Sequence, residues 1–96
     1  MALFFQWDPR KAAANVRKHG VSFEEAATIF DDPLVITVPD RKHPNGEERF
    51  FSIGSTLRDR LVVVAHTERG NIIRIISARE PTAREKRSYE EGEDFQ

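Results

Sequence analysis

Two apolar, β-branched runs joined by a short turn constrain the fold of this chain more than any other feature. Residues 61–66 are apolar on both faces, as in a central strand, and residues 72–78 follow after the turn-forming sequence Arg69-Gly70-Asn71. The pattern predicts a β-hairpin at the centre of a sheet. The 96 residues, 39% of them apolar, suffice for one domain with one core, so we assign residues 1–96 to a single domain.

The first third of the chain carries the caps of two consecutive helices. Asp8-Pro9 can cap a helix and occupy its first position, which predicts a helix over residues 10–19. Ser22 and Glu25 then have the spacing of a capping box, which predicts a second helix over residues 23–30. Two helices therefore precede most of the sheet.

The remaining segments complete an α+β domain. Thr82 and Glu85 repeat the capping-box spacing before a polar helix through Glu90, and the acidic tail, about residues 91–96, is expected to fray. The predicted strands are residues 3–7, 34–38, 49–53, 61–66 and 72–78, with a polar loop through Asn45-Gly46. This order predicts an antiparallel β-sheet of four to five strands, two N-terminal helices on one face and a short C-terminal helix.

Several classes of protein and of site are disfavoured by what the sequence lacks. The absence of cysteine excludes a disulfide framework, a thiolate zinc site and a cysteine nucleophile. The histidines His19, His43 and His66 lie in different elements without the spacing of metal ligands, so we predict neither a metal nor another cofactor. Because there is no signal peptide and no run of the roughly 20 apolar residues that a membrane span needs, we predict a soluble, cytoplasmic protein.

The charges are separated along the chain although the formal net charge is only -1. Between residues 69 and 89, six basic residues stand against two acidic ones, a net charge of +4. The first twenty residues hold four basic residues and one acidic residue, a net charge of +3. Two basic regions favour a surface that binds a polyanion, although charge clustered on a solvated helix is the other interpretation.

Two arginines interrupt the apolar strand over residues 72–79. Strict alternation places Arg74 on one face of the sheet and Arg79 on the other, whereas a β-bulge between them would bring both to one face. Guanidinium groups matter here because their fixed fork of donors matches a phosphate and stays charged at physiological pH. Ion pairs with nearby carboxylates are the alternative role for these two side chains.

The turn before this strand decides where His66 lies. A two-residue turn at Arg69-Gly70 would pair His66 with Ile73, and a three-residue turn would pair it with Arg74. The sequence leaves both registers open. An unperturbed pKa of about 6.5 makes a histidine beside a cationic cleft a candidate acid or base, while a hydrogen-bonded histidine at the end of a strand is the alternative.

The chain resembles the BrnT toxin family over almost its whole length, from about residue 5 to residue 89. The similarity rests on two long blocks and several short ones: Trp7-Asp8-Pro9 with Lys11, Ala12 and Asn15; residues 18–26; Asp32-Pro33; Glu48-Arg49; Ile53-Gly54; His66-Thr67; and residues 74–79. The resemblance implies a toxin of a type II toxin-antitoxin system with a RelE-like fold and ribonuclease activity. It also implies a BrnA antitoxin that carries a ribbon-helix-helix DNA-binding domain.

With RNA as the implied substrate, the basic residues acquire specific expected roles. Metal-independent cleavage needs a base for the 2'-hydroxyl, cations for the charge on the phosphate and an acid for the leaving oxygen. We expect Arg74 and Arg79 to stabilise the phosphate and His66 or Glu48 to transfer protons. The residues expected to position RNA are Lys18, Arg49, Arg69 and Tyr89.

The expected complex is a heterotetramer with a BrnA-like antitoxin, and operator DNA is expected to be bound only through that antitoxin. Two other functions remain open at this level. The chain could be a non-catalytic module that binds nucleic acid or protein through the same basic strand. It could also be a structural subunit whose exposed apolar positions are covered by an antitoxin.

Overall fold

The fold is taken from a computed structural model that describes residues 2–41 and 48–95. The strands are β1 (Phe4–Gln6), β2 (Ile36–Pro39), β3 (Arg49–Ser55), β4 (Leu61–Arg69) and β5 (Ile72–Arg79). The helices are α1 (Pro9–His19), α2 (Phe23–Ala27), which continues as a 3-10 turn over Thr28–Asp31, and α3 (Ala83–Glu91). The expected loop through Asn45-Gly46 and the side chain of His43 lie outside the described residues.

The five strands form one mixed sheet in the order β1-β5-β4-β3-β2. The α+β class is confirmed, and β2 to β5 form an antiparallel meander, as predicted. The prediction of a fully antiparallel sheet is wrong in one respect, because β1 pairs with β5 in parallel. This difference has a long-range cause: β1 pairs with the strand farthest from it in sequence, and no local pattern specifies such a pairing.

The sheet separates two apolar clusters. One face, which we call the helix face, packs against α1 and α2 through Val62, Val64, Ile73, Ile75 and Ala78. The other face, which we call the arginine face, carries a smaller cluster around Ile53 and Val63. Tyr89 of α3 and Phe95 beyond it pack against this second cluster, so the C-terminal segment covers only part of the arginine face.

The helix caps follow the local sequence. Asp8 caps α1 by accepting a hydrogen bond from the backbone N–H of Arg10 at 2.8 Å, and Thr82 and Glu85 form the complete capping box of α3. Ser22 caps α2 through the backbone N–H of Glu25 at 3.0 Å. The Glu25 carboxylate, however, binds the guanidinium of Arg60 in a bidentate ion pair, because a charged fork is a stronger partner than a backbone N–H.

One aromatic side chain of the C-terminal tail packs against the sheet. The sequence predicts that the acidic tail frays, but Phe95 is only 5% exposed and packs with Val38, Ile53 and Val63. Burial of a phenylalanine contributes roughly 2 kcal/mol, which offsets part of the conformational entropy that this segment loses. Phe95 therefore packs against the arginine face in this structure, and the fraying of residues 91–96 stays a prediction.

Candidate functional site

A turn and a bulge decide which side chains of the β4-β5 hairpin share a face. The turn consists of Gly70 and Asn71, so Arg69 pairs with Ile72. Both registers considered for His66 are therefore wrong, because it pairs with Ile75 rather than with Ile73 or Arg74. Gly70 has a φ of 61°, and glycine adopts a positive φ at the first turn position without the strain other residues would incur. With this turn, Arg74 lies opposite Thr67.

The β-bulge that would bring both arginines to one face is present. His66 pairs with Ile75 and Ala65 pairs with Ser77, so Ile76 has no partner of its own on β4. The extra residue reverses the alternation of the side chains that follow it. As a result Arg74 and Arg79 both lie on the arginine face.

A row of polar side chains crosses four strands on this face. Arg49 pairs with Thr67, Thr67 with Arg74, and Arg74 with Gln6, which places these residues side by side on β3, β4, β5 and β1. We call this set the cross-strand row. Neighbouring strands are about 4.8 Å apart, so the row extends over roughly 14 Å of the sheet. It brings two of the expected RNA-binding or catalytic arginines, Arg49 and Arg74, into one line.

A hollow of about 250 Å³ lies on the cross-strand row. It is lined by Gln6, Thr67, Arg69, Ile72 and Arg74. The side chain of Arg74 is exposed and makes no hydrogen bond or ion pair with the part of the chain that the structure describes. The hollow therefore presents two guanidinium groups, one of them available to an anionic ligand.

Arg79 lies on the same face but is engaged by α3. Its two terminal nitrogens donate to the two carboxylate oxygens of Glu85 at 2.8 and 2.9 Å. The guanidinium of Arg79 lowers the pKa of Glu85, and Glu85 also accepts from the backbone N–H of Thr82 at 2.9 Å. In this structure Arg79 holds the first turn of α3, and its fork is occupied by a carboxylate.

His66 lies on the helix face, on the opposite side of the sheet from Arg74. It is 0% exposed and lies between the rings of Phe30 and Phe50, with centroid distances of 5.1 and 5.9 Å. Its Nε2 is 2.7 Å from the hydroxyl of Ser52, whereas its Nδ1 has no hydrogen-bond partner among the described residues. The structure therefore separates His66 from the arginines with which the sequence analysis grouped it.

This burial predicts a pH-dependent stability. Burial lowers the pKa of His66 to about 4, so the folded protein resists protonation that the unfolded chain accepts at a pKa of about 6.5. The stabilising effect is complete above pH 6.5 and is lost as the pH falls towards 4. Between pH 7 and pH 5, the free energy of unfolding is expected to fall by about 2 kcal/mol because of this residue.

Urea unfolding at several pH values tests this expectation, with His66→Gln as the comparison. The variant keeps a polar group near Ser52 but cannot titrate, so its stability should change less between pH 7 and pH 5. Glu68, whose carboxylate is 3.5 Å from Nδ1, favours protonation and is present in both proteins. Parallel pH profiles for parent and variant would contradict the prediction.

The other expected site residues are dispersed. Glu48 is exposed and immediately precedes Arg49, next to the cross-strand row. Lys18 is exposed in the last turn of α1, which packs on the helix face. Tyr89 donates a 2.6 Å hydrogen bond to Asp32, and burial, together with this bond, raises the pKa of Tyr89 to about 12.

Three residues of the hollow, Gln6, Thr67 and Ile72, are not among the site residues expected from the sequence. Gln6 is the one polar side chain in an aromatic strand, and this contrast was the signal that could have singled it out. Its position beside Arg74, however, depends on the parallel pairing of β1 with β5.

Within residues 2–41 and 48–95, no three histidine, aspartate or glutamate side chains are grouped as metal ligands would be. No helix in these segments is long and apolar enough to cross a membrane.

Comparison with known proteins identifies the family. The family model described as ribonuclease toxin, BrnT, of type II toxin-antitoxin system matches residues 7–85. The 1.1 Å crystal structure of the Brucella abortus ribonuclease toxin BrnT matches with a TM-score of 0.59 at 20% identity, covering 84% of this chain and 99% of that chain. No curated protein sequence matches significantly. The structural match supports the fold, and the family model, which spans most of the sequence, shows that this chain belongs to the BrnT family of ribonuclease toxins of type II toxin-antitoxin systems.

Proposed function

We propose that the protein is an endoribonuclease that cleaves RNA without a bound metal ion and binds the scissile phosphate at Arg74. The observation that carries the proposal is the exposed guanidinium of Arg74 in a hollow that also contains Arg69. Arg79, by comparison, is paired with Glu85. An arginine without a carboxylate partner among the described residues is available to a phosphate, whose oxygens match the spacing of the guanidinium donors.

The proposed reaction needs only groups that the chain and the RNA supply. A base removes the proton of the 2'-hydroxyl, and the 2'-oxygen forms a bond to the adjacent phosphorus. The bond from phosphorus to the 5'-oxygen breaks, and that oxygen takes up a proton. The products are a 2',3'-cyclic phosphate and a 5'-hydroxyl. Arg74 stabilises the negative charge that increases on the non-bridging oxygens during this step.

We assign proton transfer to Glu48 rather than to His66. Glu48 is exposed and immediately precedes Arg49 at the start of β3, so its carboxylate is accessible to solvent. His66 is on the other face and fully buried. A group that removes a proton must come within about 3 Å of it, which favours the exposed residue.

We assign the positioning of RNA to Arg49 and Arg69, which flank Arg74 on the arginine face. Lys18 lies on a helix that packs against the opposite face, and the hydroxyl of Tyr89 is bound by Asp32. These two residues are therefore less suited to contact an RNA strand bound along the cross-strand row. Arg79 acts in this proposal by holding α3 through Glu85.

We further propose a BrnA-like, ribbon-helix-helix antitoxin as the partner, in a heterotetramer in which operator DNA is bound through the antitoxin. Membership of a toxin-antitoxin family supports a protein partner. The outer edge of β1 also supports it, because an edge strand can pair with a strand of a second chain.

Incubation of the purified, antitoxin-free protein with RNA in the presence of EDTA tests the proposed activity. New fragments with 5'-hydroxyl and 2',3'-cyclic phosphate ends are expected. Retarded but intact RNA would support the non-catalytic binding module instead. Co-purification with an antitoxin, without binding or cleavage of RNA, would support the structural subunit. Cleavage that disappears with EDTA and returns with a divalent cation would contradict the metal-independent mechanism.

A further inference from the structure

Gln6 lies next to Arg74 without any evident structural role. The parallel register of β1 and β5 places these two residues opposite each other, and Gln6 is exposed. Its amide makes no hydrogen bond with residues 2–41 or 48–95. It also precedes residues 7–85, the part of the chain that the family model matches. A neutral amide beside a phosphate-binding arginine can contribute directional hydrogen bonds but no charge.

The hollow that contains Gln6 combines three kinds of surface. Arg69 and Arg74 provide planar cationic groups, Ile72 provides an apolar surface, and Gln6 and Thr67 provide neutral hydrogen-bonding groups. A phosphate alone would use the arginines and the donors of the amide and hydroxyl, but not the apolar surface of the isoleucine or the acceptor oxygen of the amide. A nucleobase uses all three, because its flat faces stack on guanidinium planes and apolar side chains while its edge forms hydrogen bonds.

The amide of glutamine matches a base edge that carries a donor beside an acceptor. Its oxygen accepts one hydrogen bond and its nitrogen donates another, in a fixed plane. Adenine offers this pattern at its N6 amino group and N7, and glutamine pairs with adenine in this way. Such a bidentate pair discriminates between bases by about 1–3 kcal/mol, which corresponds to roughly fivefold to 150-fold in affinity.

We propose that the hollow is a nucleobase subsite and that Gln6 determines its specificity by binding the edge of an unpaired adenine next to the phosphate held by Arg74. This inference rests on the proposed binding of RNA at the arginine face. It adds a sequence preference to that function. It assigns Gln6 to the contact with the base edge and Ile72 and Arg69 to contacts with its faces, while Thr67, a buried residue, lines the hollow beneath them.

The test uses four fluorescently labelled hexanucleotides with 2'-O-methyl groups, identical except for one central base. The methyl group removes the nucleophile, so the affinities of the full-length, antitoxin-free protein are measured by fluorescence anisotropy without cleavage. The adenine oligonucleotide is expected to bind at least fivefold more tightly than the other three. In Gln6→Ala this preference should fall below twofold.

Arg74→Ala is the matched control because it removes a neighbouring contact to the phosphate. It should weaken the binding of all four oligonucleotides by a similar factor. Equal affinities in the parent protein, a preference for another base, or an adenine preference that persists in Gln6→Ala would overturn the proposal. If the protein prefers adenine but leaves RNA intact, the base site is supported and the proposed cleavage is refuted. Cleavage without base discrimination would refute only the base site.

Discussion

Arg74→Ala is expected to lower the rate of RNA cleavage on the order of a hundredfold while leaving the fold intact. The side chain supplies charge to the phosphate in the transition state, and removal of one such preorganised donor costs about 3 kcal/mol. Because the Arg74 side chain is exposed and bonds to no described residue, its loss breaks no side-chain hydrogen bond or ion pair that the structure shows. Initial rates on one oligonucleotide, together with thermal unfolding of each variant, measure both effects.

Two further substitutions sharpen this experiment. Arg17→Ala removes another exposed arginine, from α1, which packs on the other face of the sheet, and should leave the rate within twofold of the parent. Arg74→Lys keeps the charge but not the fork, so it should recover only part of the activity. A rate for Arg74→Ala within threefold of the parent would contradict the assignment. Expression of an active parent should arrest growth, and expression of Arg74→Ala should not.

The largest effect on stability is expected for Asn15→Ala. Asn15 is a buried residue of α1 whose side-chain nitrogen donates to the carbonyl oxygens of Val21 at 2.9 Å and of Ala78 at 2.8 Å. Its side-chain oxygen accepts from the backbone N–H of Ala78 at 3.1 Å. Since β1 pairs only with residues 72–74 of β5, this amide satisfies backbone groups that a neighbouring strand would otherwise bind.

Alanine at position 15 would leave three backbone groups near the core without partners. An unsatisfied buried group costs about 1–3 kcal/mol, so the free energy of unfolding is expected to fall by roughly 3–5 kcal/mol. Urea unfolding followed by circular dichroism measures the change. Val16→Ala, at the next and exposed position of the same helix, is the control and should cost less than 1 kcal/mol. A loss of less than 1 kcal/mol for Asn15→Ala would show that water replaces these hydrogen bonds.

The helix boundaries could be predicted because capping depends on neighbouring residues. Asp8, Ser22 and Thr82 each bind a backbone N–H two or three positions ahead. The same argument holds for the meander of β2 to β5, whose strands follow one another directly in sequence. In both cases the interacting groups lie close together along the chain, so short patterns carry the information.

The site was only partly predictable because its geometry depends on register. One additional residue in the turn or at the bulge changes the face on which every later side chain lies. For His66 a signal was nevertheless present. The alternation of Val62, Val64 and His66 places the imidazole on the same face as two core valines, so its burial could have been inferred.

The sequence alone determined the α+β class, the basic hairpin late in the chain, the absence of cysteine chemistry and the motifs of the toxin family. Tertiary structure decided that Arg74 is exposed in a hollow beside Gln6, that Arg79 is bound by Glu85 and that His66 is buried. The physical reason is the range of the interactions. Caps and strand preferences act over a few residues, whereas strand register, parallel pairing and ion pairs depend on segments that meet only when the sheet and helices have packed.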